Sequence, residues 1–466
     1  MNHASFSRRN MLRRMGAGMG TLGLAGVMAD TQLASAASPM APVAPHFAPK
    51  AKHIIQLFQA GGPSHVDTFD YKPDLIKYAG QRPKEVQLKT LRNTKGNLMK
   101  SPYSFRQYGQ CGKWVSEIFP YTAGHVDDIC FFHSLYTDIP EHAGGILMMN
   151  LGHLQPIRPS MGAWLVYGLG TENQNLPGFV AMSPRSQPRG KLANWQNSFL
   201  PGVCAGSYVN LGSMKPETLM RDLKNSQLSL SAQREQAELM DKLNLMHLQR
   251  HQHDAKLEAS IQSMELAFRM QMSVPEAFDL SKESKATRDL YGPGDYAKGC
   301  ILARRLVERG VRMVQLSLSI DGYDIPWDTG HGNIVDGHRK LAVASDQAIA
   351  GLLKDLKQRG LLDETLVIWG GEFGRAPTSE GTKGRDHNHY GFTMWMAGGG
   401  VKGGYTHGAT DNFGLRAVEN RMHVHDFHAT ILHLMGINHE KLTYRHSGRD
   451  YRLTDVAGNV AKDVMA

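Results

Sequence analysis

Short, unbroken apolar runs punctuate this chain, separated by stretches in which apolar residues recur every three or four positions. The runs are His53–Phe58, Ile129–Phe132, Arg312–Leu318, Thr365–Trp369 and Phe392–Ala397. Each is too short for a helix and lacks the alternation of a strand with one wet face, so each predicts a strand buried on both sides. Residues 143–151, 160–170, 299–309 and 337–359 predict helices. In the last of these, Leu341, Ala344, Ala348, Leu352 and Leu356 form one stripe and Gly360 supplies the stop. Strand, polar loop, helix and strand again is the logic of a parallel sheet in an α/β fold.

Two regions break this rhythm. Residues 171–213 are rich in Gly, Pro, Asn and Ser and predict long loops. Residues 214–290 carry long helical periods at Glu217–Leu245 and Asp254–Met272, which predict a helical insertion on the α/β core. His247, His251 and His253 fall within it. Lying among Gln249, Arg250 and Gln252, they read as a solvated helix face rather than a metal site.

The first 37 residues stand apart. Ser7-Arg8-Arg9-Asn10-Met11-Leu12-Arg13 is the pattern of a twin-arginine export signal, followed by a weakly apolar run from Met15 to Leu33 and a small-residue cleavage pattern at Ala34-Ser35-Ala36. Gly16, Gly18, Gly20, Gly23 and Gly26 count against a stable helix there. The expected organisation is a signal peptide at 1–37, a Pro-rich leader at 38–52, and one α/β domain at 53–466 with the insertion at about 214–290. The mature protein is expected to be periplasmic, attached to the cell surface or secreted. No other stretch reaches the apolar length of a membrane span.

With 466 residues, 41% hydrophobic and 20% charged, the chain can bury a large core in the manner of a soluble globular protein. The formal charge is +9; Arg8, Arg9, Arg13 and Arg14 against Asp30 account for +3 of it, and subtracting them leaves +6 for the rest. That charge is spread along the chain without a nucleic-acid motif, so no nucleic acid is expected as a partner. Cys111, Cys130, Cys204 and Cys300 lack metal-type spacing, and both free thiols and disulfides fit them. No dinucleotide fingerprint, haem motif or cysteine cluster points to redox chemistry.

The candidate chemistry lies in the loops that follow the strands, at the sheet edge where α/β proteins bind ligands. After the first strand come Ser64, His65 and Asp67, which fit a site loop and a helix cap equally well. After the second comes Thr137-Asp138-Ile-Pro-Glu-His142, where Thr137 and Asp138 suit helix capping or anion binding. Asp328-Thr-Gly-His331 follows the next. The strand at Thr365 ends in Gly370-Gly-Glu372-Phe-Gly-Arg375, and a polar loop then leads to Arg385-Asp386-His387-Asn-His389.

In order along the chain, these motifs resemble the alkaline phosphatase/sulfatase superfamily, in an uncharacterised, twin-arginine-exported, sulfatase-like branch. Asp346 to Trp369 is similar to that superfamily's helix–strand unit, Asp328-Thr-Gly-His331 to its ligand loop, and Thr137 to His142 to the nucleophile loop of its nucleotide pyrophosphatase branch. His425 to Ile437 is similar to a late superfamily helix. The resemblance implies a parallel sheet with helices on both faces, two divalent metals such as zinc at the strand ends, and attack by a hydroxyl on a phosphate or sulfate ester, polymeric substrates included.

The chain departs from that pattern in several places. The superfamily's Asp after the first strand is replaced by Gln59-Ala-Gly-Gly, with Asp67 the nearest carboxylate. Its Asp-His pair is Glu372-Phe373, and Asp138 stands at the nucleophile position. The Asp328 to His331 spacing is one residue short. The expected metal ligands are therefore Asp328, His331, Glu372, Asp386, His387, His389 and Asp67, with Thr137 or Ser64 as nucleophile and His65, Asp138, His142 and Arg375 also in the site. The alternative is a catalytically degenerate member that binds or assembles at the cell surface.

Overall fold

The computed structural model describes residues 40–86, 96–212, 273–320 and 323–466, together with helical positions 232, 235, 239 and 242. The expected signal peptide and most of the insertion, including His247, His251 and His253, lie outside the described residues.

Among the described residues, a nine-stranded sheet organises the chain. Its main strands are β1 (His53–Phe58), β2 (Ile129–Tyr136), β3 (Phe179–Ser183), β4 (Ser207–Asn210), β5 (Met313–Ser317) and β6 (Thr365–Gly370). After β6 come a ribbon, β7 (Gly374–Glu380) and β8 (Gly384–Asn388), then β9 (Phe392–Ala397) and the short β10 (Thr406–His407) and β11 (Met422–His423). Across the sheet the order is β10-β2-β9-β6-β1-β5-β3-β4, with β11 also on β2. β1 pairs in parallel with both β5 and β6, Phe58 opposite Ser317 on one side and Gly370 on the other.

The expected parallel sheet is thus mostly parallel, with one exception. β9 runs antiparallel to both β6 and β2. The antiparallel ribbon of β7 and β8 explains it: the chain leaves the C-terminal end of β6, folds back on itself, and re-enters the sheet at the same edge. The predicted polar loop between β6 and β9 is this ribbon. The stretch 171–213 is not all loop either, because β3 and β4 extend the sheet there in parallel.

Alternate residues of each strand face opposite sides, as the two-residue period requires. Ile55, Leu57, Val314, Leu316, Val367 and Trp369 share one core with helices α3 (Lys285–Tyr291), α4 (Asp295–Glu308) and α5 (Ile334–Gln358). Ile54, Phe58, Met313, Leu366 and Ile368 share the other with α1 (His142–Leu151), α2 (Met161–Leu169) and α6 (Val424–Leu434). Helices on both faces are why the strands are apolar throughout. Among the described residues no helix is long and apolar enough to cross a membrane. The four cysteines are free, three buried and Cys111 exposed.

Candidate metal centre

The C-terminal ends of β1, β2, β5 and β6 and the start of β9 open onto one edge of the sheet, where the loops are held by backbone contacts. Trp327 N–H donates to Ala60 O at 3.1 Å, fastening the loop after β5 to the loop after β1. Gly61 makes this approach feasible: its φ is +109°, and a Cβ there would lie 2.5 Å from the backbone nitrogen of Asp328.

Three imidazoles and one carboxylate converge at this edge. The Asp328 Oδ1 atom lies 2.9 Å from His142 Nε2, 3.3 Å from His331 Nε2 and 3.4 Å from His387 Nε2. Each imidazole is anchored from behind through Nδ1. His142 Nδ1 donates to Glu372 Oε1 at 2.6 Å, His387 Nδ1 to the Pro140 carbonyl at 2.6 Å, and His331 Nδ1 to Glu380. A carbonyl or carboxylate acceptor on Nδ1 places the proton there and turns the Nε2 lone pair inward. The resulting four ligand atoms lie within 4.8 Å of one another, as a metal site requires.

The charges are uneven. Burial opposes the charge of Asp328, but the adjoining His142 and His387 imidazoles and the nearby Arg375 outweigh it and hold the carboxyl well below the usual range. Burial also opposes a charge on His142, yet the bonds to Asp328 and Glu372 prevail and raise it above the ordinary imidazole value. His387 is pushed down to about 4 by burial, against the pull of Asp328 and with help from Arg375 and His142. His331 is lowered too, by burial and then by Arg375. Both imidazoles are thus biased toward the neutral form, with His331 Nε2 and His387 Nε2 2.8 Å apart.

The other expected residues are placed differently. Glu372 stands behind His142 and also accepts from Gly61 N–H at 2.9 Å, so it orients a ligand and does not join the four. Asp67 is fully buried and bidentate to Arg385 at 2.7 and 3.0 Å, with Ser64 Oγ donating to it at 2.5 Å. Ser64 N–H donates to His338 Nε2 at 3.0 Å, and neither Ser64 nor Asp67 caps a helix through its side chain. Asp386 accepts from the His387 N–H at 2.8 Å and belongs to a second grouping with His331 and Glu380. His389 packs on Tyr390, and His65 Nε2 lies 2.7 Å from the Gly414 carbonyl; both are outside the four. Asp138 is exposed beside His423, and Glu141, not Thr137 or Asp138, caps α1. Thr137 is buried; its N–H reaches His389 O at 2.9 Å, and its hydroxyl has no hydrogen-bond partner.

His142 was expected in the site but not as a ligand. The signal lay in its position, the last residue of the motif that follows β2. Glu380 and Arg385 carried no sequence signal, since their roles come from partners brought close only by the β7–β8 ribbon.

The chain belongs to the family described as a protein of unknown function (DUF1501), which it matches over residues 51–465. No curated protein matches it. Among solved structures it is similar to the lipoteichoic acid synthase LtaP from Listeria monocytogenes, at 10% identity and a TM-score of 0.36, covering 88% of this chain and 76% of that one. It is also similar to the PsFucS1 sulfatase from Pseudoalteromonas sp., at 13% identity and a TM-score of 0.37, over 84% and 68%. A protein in the alkaline phosphatase superfamily from Vibrio parahaemolyticus matches at 11% identity and a TM-score of 0.33, over 91% and 75%.

Proposed function

We propose that this chain is a metal-dependent hydrolase of phosphate or sulfate esters, exported by the twin-arginine route, with a divalent ion such as zinc held by His142, Asp328, His331 and His387. The observation that carries the reading is the convergence of these four side chains, each offering a ligand atom within 4.8 Å of the others, with the three imidazoles held from behind through Nδ1. Imidazole nitrogens with one carboxylate oxygen suit zinc or a similar ion.

An ion bound there would polarise an ester oxygen. The residues around it do the rest. Glu372, Glu380 and the Pro140 carbonyl keep the three imidazoles in the ligating tautomer. Phe373 packs 4.9 Å from His142 and 4.7 Å from His387, ring centre to ring centre, and shields them from water. For attack on the ester we keep Thr137 as the candidate hydroxyl, because it precedes His142 in the same loop and has no partner, whereas Ser64 is committed to Asp67. The test is metal analysis of the purified protein, then assay on phosphate and sulfate esters with and without chelator. Turnover restored by metal, and lost in Asp328→Asn, is expected; protein that takes up no ion, or stays inert when loaded, would sink the proposal.

One feature favours the second reading, a surface binding or assembly protein. Four protein ligands already complete a tetrahedral shell, as in structural sites. The visible spectrum of the cobalt-loaded protein separates the two. A spectrum that shifts when phosphate or sulfate is added speaks for an open catalytic centre, and an unchanged one for a closed site.

A further inference from the structure

The superfamily resemblance implies two divalent ions, and the residues that would hold the second do not fit one. Asp67, the nearest carboxylate to the first strand, has both oxygens on the Arg385 guanidinium, at 2.7 and 3.0 Å, and is 0% exposed. Arg385 is itself fixed by the carbonyls of Pro377 at 2.8 Å and Met99 at 3.0 Å. Glu372 is committed to Gly61 N–H and His142. Phe373 stands where the resemblance calls for an imidazole.

The space beside Asp328 already holds a cation. Arg375 is 0% exposed, and its guanidinium is caged by oxygen. Nε donates to Gly62 O at 2.9 Å; Nη2 donates to Gly61 O, to Trp327 O at 3.3 Å and to Asp328 Oδ1 at 2.9 Å. Nη1 reaches Arg385 O at 3.5 Å. Carbonyl and carboxylate oxygens ringing a buried positive charge are the surroundings a second metal ion would want. Arginine supplies that charge permanently and from within the chain. The grouping of His331 with Glu380 and Asp386 is not a second centre, because the Glu380 contact at Nδ1 is what directs His331 Nε2 toward Asp328.

Building on the proposed metal site, we infer that the chain binds one divalent ion, with the Arg375 guanidinium standing in for the second. Arg375 is then a positioning residue that joins the loops after β1 and β5 to the ribbon.

The experiment strips the full chain with chelator, reloads it with excess zinc or cobalt, removes unbound metal, and counts ions per chain by elemental analysis and native mass spectrometry. One ion per chain is expected. Two would overturn the inference while leaving the metal reading standing; none would remove the metal reading and this inference with it. In Arg375→Ala, the freed oxygens should admit a second, weaker ion, or millimolar guanidinium should restore the wild-type melting temperature. Arg375→Lys, which keeps the charge, should stay at one. A folded Arg375→Ala protein that still holds one ion and responds to neither excess metal nor guanidinium would show Arg375 to be mere packing.

Discussion

Replacing Glu372 with Gln should weaken metal binding without abolishing it, because Glu372 reaches the proposed ion only through His142. Its Oε1 accepts the His142 Nδ1 proton at 2.6 Å and the Gly61 N–H at 2.9 Å. Gln can still accept from Gly61. If its amide N–H then faces Nδ1, the imidazole proton moves to Nε2 and the ligand atom becomes a donor. Losing such an orienting carboxylate typically lowers affinity by about 10–100-fold, or roughly 1.4–2.7 kcal/mol. Glu372→Asp withdraws the carboxylate by about 1.5 Å, one C–C bond, and should do similar damage. The assay is competition with a chromophoric chelator at fixed pH, with ion count and cobalt spectrum as controls. Affinity unchanged in Glu372→Gln would mean that the His142 contact orients nothing. Complete loss, equal to that in Asp328→Asn, would make Glu372 a ligand and refute the arrangement drawn above.

Metal affinity should rise with pH. His142 lies between two carboxylates that raise its affinity for the proton, and binding must compete with that proton; affinity should climb by up to about tenfold per pH unit below the His142 pKa and level off above it, as chelator competition across pH would read. His338 should make the fold acid-sensitive. Burial lowers it from 6.5 to about 3, and its Nε2 accepts the Ser64 N–H. The unfolded chain takes up that proton first, so stability present above pH 6.5 is lost as pH falls toward 3, by on the order of 5 kcal/mol at the limit. Denaturant midpoints should show this slope, and His338→Gln should flatten it. Gly61→Ala puts a Cβ 2.5 Å from Asp328 N at a φ of +109° and should cost about 2–5 kcal/mol by the same midpoints; a neutral outcome would mean that the two loops are not in the contact described.

What the sequence made legible follows from what each signal measures. The apolar runs at His53, Ile129, Arg312, Thr365 and Phe392 identified strands because burial on both faces removes every polar position. The same signal says nothing of direction, so the antiparallel course of Phe392–Ala397 could be seen only in the structure. Phe179–Ser183 is buried along its length, but it is only five residues long and sits among glycines and prolines that mask it. Gly374–Glu380 and Gly384–Asn388 pair through their backbones, with side chains that carry no strand pattern. In the site, Asp328, His331 and His387 could be picked from the loops that follow the strands, and in the fold they lie together with His142.

Arginine is where sequence reasoning ran out, for a physical reason. Arginines are mostly exposed, and a chain read residue by residue gives no cause to bury Arg375 and Arg385 completely. Their burial is tolerable only because each is saturated by carbonyls and a carboxylate drawn from segments far apart in sequence. That saturation also decides the fate of the acids around them. Asp67 cannot serve a metal while Arg385 occupies both of its oxygens. Glu372 is long enough to span Gly61 and His142 from behind. Where the sequence departs from the pattern it resembles, at Gln59 and at Glu372-Phe373, the fold has two fixed guanidinium ions among the carboxylates, and three imidazoles with one carboxylate converge on a single point.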